Sequence, residues 1–341
     1  MRLLRLLLLP FSLVYWLITA VRNYLYSNGI MRSYAFSVPV IVVGNLSTGG
    51  TGKSPMTEYL IRLLSNHYKI ATLSRGYKRK SEGFQLAGAN SNADLIGDEP
   101  YQFHKKFPNA TVAVDADRKN GIERLLSMSP KPKVIILDDA YQHRRVKAGF
   151  YILLTAYGDL YADDYVLPAG NLREGRSEAK RANVIIVTKC PPLLSEEQRD
   201  AIRQKLQPSP GQQLYFSYID YDDRVYSGEK QIKVEDILPT EKILVAGIAN
   251  PKPFFAHLQK DGDTCLTYPD HHYFTNKEIE TIEQQSQSKI IITTEKDFMR
   301  LEGRLPADRL FYLPIKSSFV ADADNFDKTI LDYVGQSTGN S

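Results

Sequence analysis

The stretch GNLSTGGTGKSP, Gly44 to Pro55, follows the apolar run VPVIVV at 38–43 and opens onto an amphipathic pattern. A strand that breaks into glycine and then enters a helix gathers backbone N–H groups into a nest, and such a nest suits phosphate oxygens. A lysine at the end of the turn reaches terminal phosphates, and the next hydroxyl can hold Mg²⁺. Here these are Lys53 and Ser54, with Pro55 in the first helical turn, where its missing N–H costs nothing. The strict GxxxxGK[ST] spacing asks for glycine at position 47, which is Ser47 in this chain. The expected nucleotide cradle is therefore Ser47, Thr48, Gly49, Gly50, Thr51, Gly52, Lys53 and Ser54.

The flanking pattern supplies the context. Met56, Tyr59, Leu60, Leu63 and Leu64 keep the spacing of one buried helical stripe. Apolar runs recur at 38–43, 69–74, 111–115, 133–138, 150–155 and 183–188, as expected of strands covered on both faces. Their alternation with helical patterns predicts an α/β fold, a P-loop NTPase-like, mostly parallel sheet flanked by helices. An aromatic, alternating segment near 211–235 reads as extended hairpin-like strands. Further runs at 242–248, 264–269, 289–294 and 310–315 predict a second, smaller α/β domain. The expected division is an N-terminal apolar helix (1–28), a kinase-type domain (29–210), a β connector (211–235), a second α/β domain (236–334) and a disordered tail (335–341).

The chain has 341 residues, a formal net charge of +4 and two cysteines, Cys190 and Cys265. That mild basicity suits an anionic ligand or an anionic membrane surface and does not call for nucleic acid, so no nucleic-acid partner is expected. Two distant cysteines give no disulfide framework and no zinc site. The N-terminus, MRLLRLLLLPFSLVYWLITAVRNYLY, carries Arg2 and Arg5, sixteen uncharged residues from Leu6 to Val21, and then Arg22. A cleaved signal peptide and a buried core helix both compete with a membrane-seated anchor. The arginines and the interfacial aromatics Tyr15, Trp16, Tyr24 and Tyr26 favour the anchor, facing the cytoplasm. Oligomeric state is left open.

Five other stretches carry chemistry. KVIILDDAYQHRR ends a strand in Asp138 and Asp139, carboxylates placed to hold a Mg²⁺ shell. LIGDEPYQF places Asp98 at a helix start, as an ordinary N-cap residue or as general base for an attacking hydroxyl. YPDHHYFT offers Asp270, His271 and His272 after a strand of the second domain, either surface histidines or an imidazole that tunes a base. AGNLREGRSEAKR and SRGYKRK bring Arg173, Glu174, Arg176 and Arg75 to strand tips, as phosphate ligands or as a solvated face. Val-Thr-Lys-Cys at 187–190 is faintly like a guanine-reading motif, but Pro191 stands where an aspartate belongs.

Taken together, VVGNLSTGGTGKSP, SRGY, GDEP, the 138–144 run, PAGNLRE, TKC, the DHH of 270–272 and TTEKD occur in an order that resembles the tetraacyldisaccharide 4′-kinase family, over nearly the whole chain. The resemblance implies ATP-dependent phosphorylation of the 4′-hydroxyl of a tetraacylated glucosamine disaccharide 1-phosphate, giving lipid IVA in lipid A biosynthesis. It implies Mg²⁺, a membrane-embedded acylated substrate, and the cytoplasmic face of the bacterial inner membrane. It assigns Asp98 as catalytic base supported by His271, and maps Lys53, Ser54, Asp138 and Asp139 onto the phosphate and metal positions. Arg173 and Glu174 follow as substrate or phosphate contacts, with Arg75 alongside. The residues by themselves leave two rivals, a membrane-attached NTPase switch and a kinase of another lipid or sugar.

Overall fold

A computed structural model describes residues 5–228, 230–270 and 272–338. They form two compact units, one built from the chain up to Ile219 and again from Ser317, the other from Asp220–Lys316.

The first unit opens with helix α1 (Leu9–Ser27). Eight of the nine strands of its sheet are β1 (Val40–Asn45), β2 (Ile70–Ser74), β3 (Gln85–Leu86), β4 (Thr111–Val114), β5 (Val134–Asp138), β6 (Phe150–Ala156), β7 (Val184–Thr188) and β8 (Gln213–Tyr221). Helices α2 (Lys53–Ser65), α3 (Asp98–Lys106), α4 (Arg118–Leu126) and α5 (Glu196–Leu206) lie between them. Strand β1 runs parallel to β5 on one side and β6 on the other, so the chain order reverses about β1. In open α/β sheets that switch point, at the carboxyl ends of the strands, is where ligands bind.

Strict alternation along the central strands builds two cores. Val40 and Val42 face one layer with Ile122, Leu125, Ile202 and Leu206, so α4 and α5 cover that side. Ile41 and Val43 face the other with Met56, Leu60, Ile61 and Leu64 of α2. Continuous apolar runs were needed because both faces are covered.

The second unit carries β9 (Arg224–Ser227), β10 (Lys230–Lys233), β11 (Lys242–Ala246), β12 (Thr264–Thr267), β13 (Ile290–Thr294) and β14 (Leu310–Leu313), in the order β10-β9-β14-β13-β11-β12. Strands β11 to β14 pair in parallel and the β9–β10 hairpin adds antiparallel, with α6 (Asn276–Ser286) and α7 (Glu295–Leu301) among its helices. Lys242 is wholly buried, and its ammonium meets Asp263 at 2.8 Å and the carbonyls of Leu238 and Thr240 at 3.3 and 3.2 Å. That full set of partners is what a buried lysine requires.

The expected division differs from this one in three places. The 211–235 connector is not one element: β8 belongs to the large sheet, and the hairpin 224–233 belongs to the small one. Strand β15 (Ile315–Phe319) and helix α8 (Ala323–Thr338) return to the first unit rather than closing the second. Phe326, Ile330 and Val334 of α8 enter the α2-side core. The helix therefore continues through Thr338, past the tail boundary expected at 335.

Candidate active site

The loop from Asn45 to Lys53 joins β1 to α2 at the switch point. Gly52 caps α2 at φ +81°, a left-handed conformation that glycine adopts without strain. The loop is held by its carbonyls. Thr188 Oγ donates to the Thr51 carbonyl at 2.8 Å, the Lys189 ammonium reaches the Gly50 carbonyl, and Asn45 Nδ2 donates to Gly49 at 3.3 Å. With carbonyls tied back and the first N–H groups of α2 lacking intrahelical acceptors, the turn presents donors to an anion.

Acidic groups face this turn. Ser54 Oγ donates to Glu99 Oε1 at 2.6 Å. Asp138, at the tip of β5, is buried and accepts from Thr57 Oγ1 at 3.0 Å. Burial, then the nearby Glu99 and Asp139 carboxylates, push Asp138 up to about 7, against Lys53 and Thr57, which lower it. Lys53 Nζ lies 3.7 Å from Asp139 Oδ1, and Arg173 Nη1 donates to the same oxygen at 3.1 Å. Asp139 itself has φ +47°, an uncommon conformation for a non-glycine residue and one often found at functional sites. Ser54, Glu99, Asp138 and Asp139 carry oxygens of the hard kind that Mg²⁺ prefers, but among the described residues no three His, Cys, Asp or Glu side chains are grouped closely enough to hold a metal ion.

Helix α3 brings in Asp98 and Glu99 at its N-terminus. Gly97 precedes them at φ +93°, and a side chain there would press on the Tyr77 carbonyl at 3.2 Å. The SRGY turn, which carries exposed Arg75, thereby seats the GDEP turn. Farther along, Gln102 and Lys106 both bind the buried Glu58 carboxylate of α2, at 2.9 and 2.7 Å. Two helices that carry the site are clamped to each other below it.

Arg118, which the sequence reading passed over, is buried; its Nη1 donates to the carbonyl of Asp115 at 2.9 Å. Burial lowers it to about 10, while Asp138 and Asp139 pull the other way, so it adds positive field to the acidic cluster. His143 is lowered to about 4, first by burial and then by Arg118, and is neutral near pH 7.

Glu174 corrects an expectation. Its carboxylate is fully buried and holds Arg181 at 2.7 Å and Arg22 of α1 at 3.3 Å. It is a structural clamp, not a ligand contact. Burial pushes it up, and Arg181 is the largest opposing influence. Its neighbour Arg173 does face the site, through Asp139.

In the second unit, Asp270 is exposed, and His271 lies outside the described residues. His272 stacks on Tyr268 and shares a 3.0 Å contact with Glu278, a structural arrangement. Asp297 of the TTEKD stretch accepts from the Gly247 amide at 2.8 Å and from Thr294 Oγ1 at 2.7 Å, so it ties the ends of β11 and β13.

The structure thus gathers Lys53, Ser54, Asp138, Asp139 and Arg173 at one place and adds Glu99. Glu99 stood in view within GDEP, adjacent to Asp98, but which carboxylate meets Ser54 depends on how α3 docks.

Comparison with known proteins follows the same lines. Residues 4–335 match the family model described as tetraacyldisaccharide-1-P 4′-kinase. The chain is 60% identical, over the full length of both, to the tetraacyldisaccharide 4′-kinase of Flavobacterium psychrophilum. It is 43% identical to the protein of that name from Bacteroides thetaiotaomicron, covering 98% of this chain and 94% of the relative. Among solved structures, the fold is similar to LpxK from Aquifex aeolicus in complex with ATP, at a TM-score of 0.77 and 31% identity, covering 97% of this chain and 99% of the other.

Proposed function

Because the chain belongs to the tetraacyldisaccharide-1-P 4′-kinase family and is an ATP-dependent kinase of lipid A biosynthesis, we propose that residues 47–54 hold the phosphates of ATP and that Asp98 is the base of the transfer. The observation that carries this is the convergence of Lys53, Ser54, Glu99, Asp138 and Asp139 beneath one glycine turn.

Lys53 and the loop amides bind the β- and γ-phosphates. Arg173, released from Asp139, turns to the transferring phosphoryl group, where an arginine fork matches phosphate oxygens. Ser54, with Asp138 or Asp139, would hold Mg²⁺, which when bound neutralises charge on the phosphates. Asp98, with His271 as its family-implied partner, takes the proton of the 4′-hydroxyl as the phosphoryl group transfers in line.

The membrane reading rests on α1. Its buried residues are all polar, Ser12, Thr19 and Asn23, while Phe11 and Leu13 are 66% and 64% exposed. This reverses the amphipathicity of a helix packed on a soluble protein. The segment Leu6–Ser27 is long and apolar enough to cross a bilayer. Yet Arg5, Ser12, Tyr15 and Arg22 all bond to the protein, from one end of the helix to the other. We read it as a helix lying in the interface with its outer face among acyl chains. An acylated sugar leaves a bilayer at a cost of about 0.8 kcal/mol per CH₂, so a kinase that acts on it must come to the membrane. ATP is on the cytoplasmic side, which sets the face.

Product analysis tests the reading. Purified protein with labelled ATP, Mg²⁺ and the tetraacyldisaccharide 1-phosphate is expected to yield a single 4′-phosphorylated product. GTP hydrolysis without glycolipid, or preferential transfer to a soluble sugar, would favour the rivals.

A proton readout tests Asp138. Its folded value, about 7, exceeds the ordinary carboxylate value near 4. The folded chain keeps a proton that the unfolded chain loses in between, so this group's contribution to nucleotide-free stability falls as pH rises through that window. A metal ligand must be ionised, so binding of Mg²⁺–ATP near pH 6 is expected to release a proton and to tighten toward neutrality. Calorimetry in two buffers of different ionisation heat measures the release, and Asp138→Asn should abolish it. Equal heats in both buffers for the unsubstituted enzyme would exclude Asp138 from that role.

A further inference from the structure

One short segment, residues 169–174, is gripped from two sides. On one side it holds the phosphate loop. The Thr48 amide donates to the Asn171 carbonyl at 2.7 Å, the Arg173 amide donates to the Leu46 carbonyl at 2.7 Å, and Ser47 and Leu172 form an antiparallel bridge between them. On the other side lies α1. Ser12 Oγ accepts from the Ala169 amide at 2.9 Å, Tyr15 donates from its hydroxyl to the Arg173 carbonyl at 3.0 Å, and Arg5 donates to Asn171 Oδ1 at 3.0 Å. Arg22 closes the array on the buried Glu174. The segment therefore has few degrees of freedom of its own. Tyr15 acts on the residue whose amide fixes Leu46 and whose guanidinium reaches Asp139.

We propose that Tyr15 is a positioning residue of the nucleotide site: through the Arg173 carbonyl, the interfacial helix sets the phosphate loop and the Arg173 side chain, so α1 serves ATP binding as well as attachment. The inference rests on the reading of residues 47–54 as the ATP cradle. Its physical basis is a chain of directional bonds, Tyr15 to Arg173, Arg173 to Leu46 and Asp139, in which the side-chain bonds are part-buried. A hydroxyl removed from such a chain leaves the Arg173 carbonyl short of a donor and lets the strand relax. The apolar outer face of α1 is untouched by that change, because the Tyr15 hydroxyl bonds to the protein while Leu13, Leu17 and Ile18 are exposed.

The test is Tyr15→Phe in the full-length protein on phospholipid vesicles. Turnover is measured against ATP and against the tetraacyldisaccharide 1-phosphate separately, and vesicle partitioning is measured by flotation. We expect the KM for ATP, and the dissociation constant of a non-hydrolysable ATP analogue, to rise about three- to tenfold, the loss of one hydrogen bond. The KM for glycolipid and the vesicle partitioning are expected to stay within twofold. ATP constants that do not move, or a change confined to glycolipid KM, partitioning or melting temperature, would overturn the proposal. Should Tyr15→Phe fail to fold, Ser12→Ala removes the acceptor for the Ala169 amide and is expected to shift the ATP constants in the same direction; no shift there is equally fatal. If the unsubstituted protein fails to bind the analogue, or Lys53→Met binds it as well as the parent does, the cradle reading itself is at fault, a different result from an unresponsive Tyr15→Phe.

Discussion

Asp98→Asn is expected to lower the rate of phosphoryl transfer by about 10²–10⁴-fold, the range for loss of a general base, while ATP still binds. The substitution keeps the shape of the side chain and its place at the head of α3, after the left-handed Gly97. It leaves Ser54, Glu99 and the Glu58 clamp as they are. What it removes, on the proposed mechanism, is the ability to accept the sugar hydroxyl's proton. Single-turnover transfer from labelled ATP gives the rate, and analogue binding by calorimetry gives the control. A variant that transfers within threefold of the parent would take Asp98 out of the mechanism and return it to the role of a helix-start residue.

Lys53→Met is expected to cost about 10²–10³-fold in kcat/KM for ATP, the scale of losing one preorganised charge at a phosphoryl group. Unlike Asp98→Asn, it should also reduce the thermal stabilisation that ATP confers by mass action. A second signature follows from its neighbours. Lys53 lowers Asp138 and sits 3.7 Å from Asp139, so without it Asp138 holds its proton to higher pH. The pH dependence of Mg²⁺–ATP binding should shift upward in the variant. A variant that keeps both ATP-induced stabilisation and turnover would mean that the glycine turn serves some other anion.

Much of the fold could be read from the sequence because both sheet faces are covered. The central strands had to be continuously apolar, and VPVIVV, KVIILD and NVIIVT were. The glycine turn between β1 and α2 was legible because its pattern is local: glycines, one lysine and one hydroxyl within a dozen residues. Glu99 and Arg118 were missed for the opposite reason. Nothing within GDEP says which carboxylate meets Ser54, and the guanidinium of Arg118 reaches the field of Asp138 through the packing of α4. Glu174 looked like a ligand beside Arg173, but neighbouring side chains on an extended segment point to opposite faces. One of the two therefore points inward, toward Arg22 and Arg181. The chain's return to its first unit was also invisible. The spacing of Phe326, Ile330 and Val334 predicts a buried helical stripe but carries no label for the sheet beneath it.

That return has a bearing on how the protein is made. Chains generally fold domain by domain as they leave the ribosome, N-terminal part first. Here the first unit cannot finish its interior until α8 emerges, because Phe326, Ile330 and Val334 follow the whole Asp220–Lys316 unit. Helix α1, by contrast, precedes every strand of that unit. On the proposed membrane reading, the nascent polypeptide can thus reach the lipid surface before its first unit is able to close, and the insert spanning Asp220–Lys316 has time to fold in the interval.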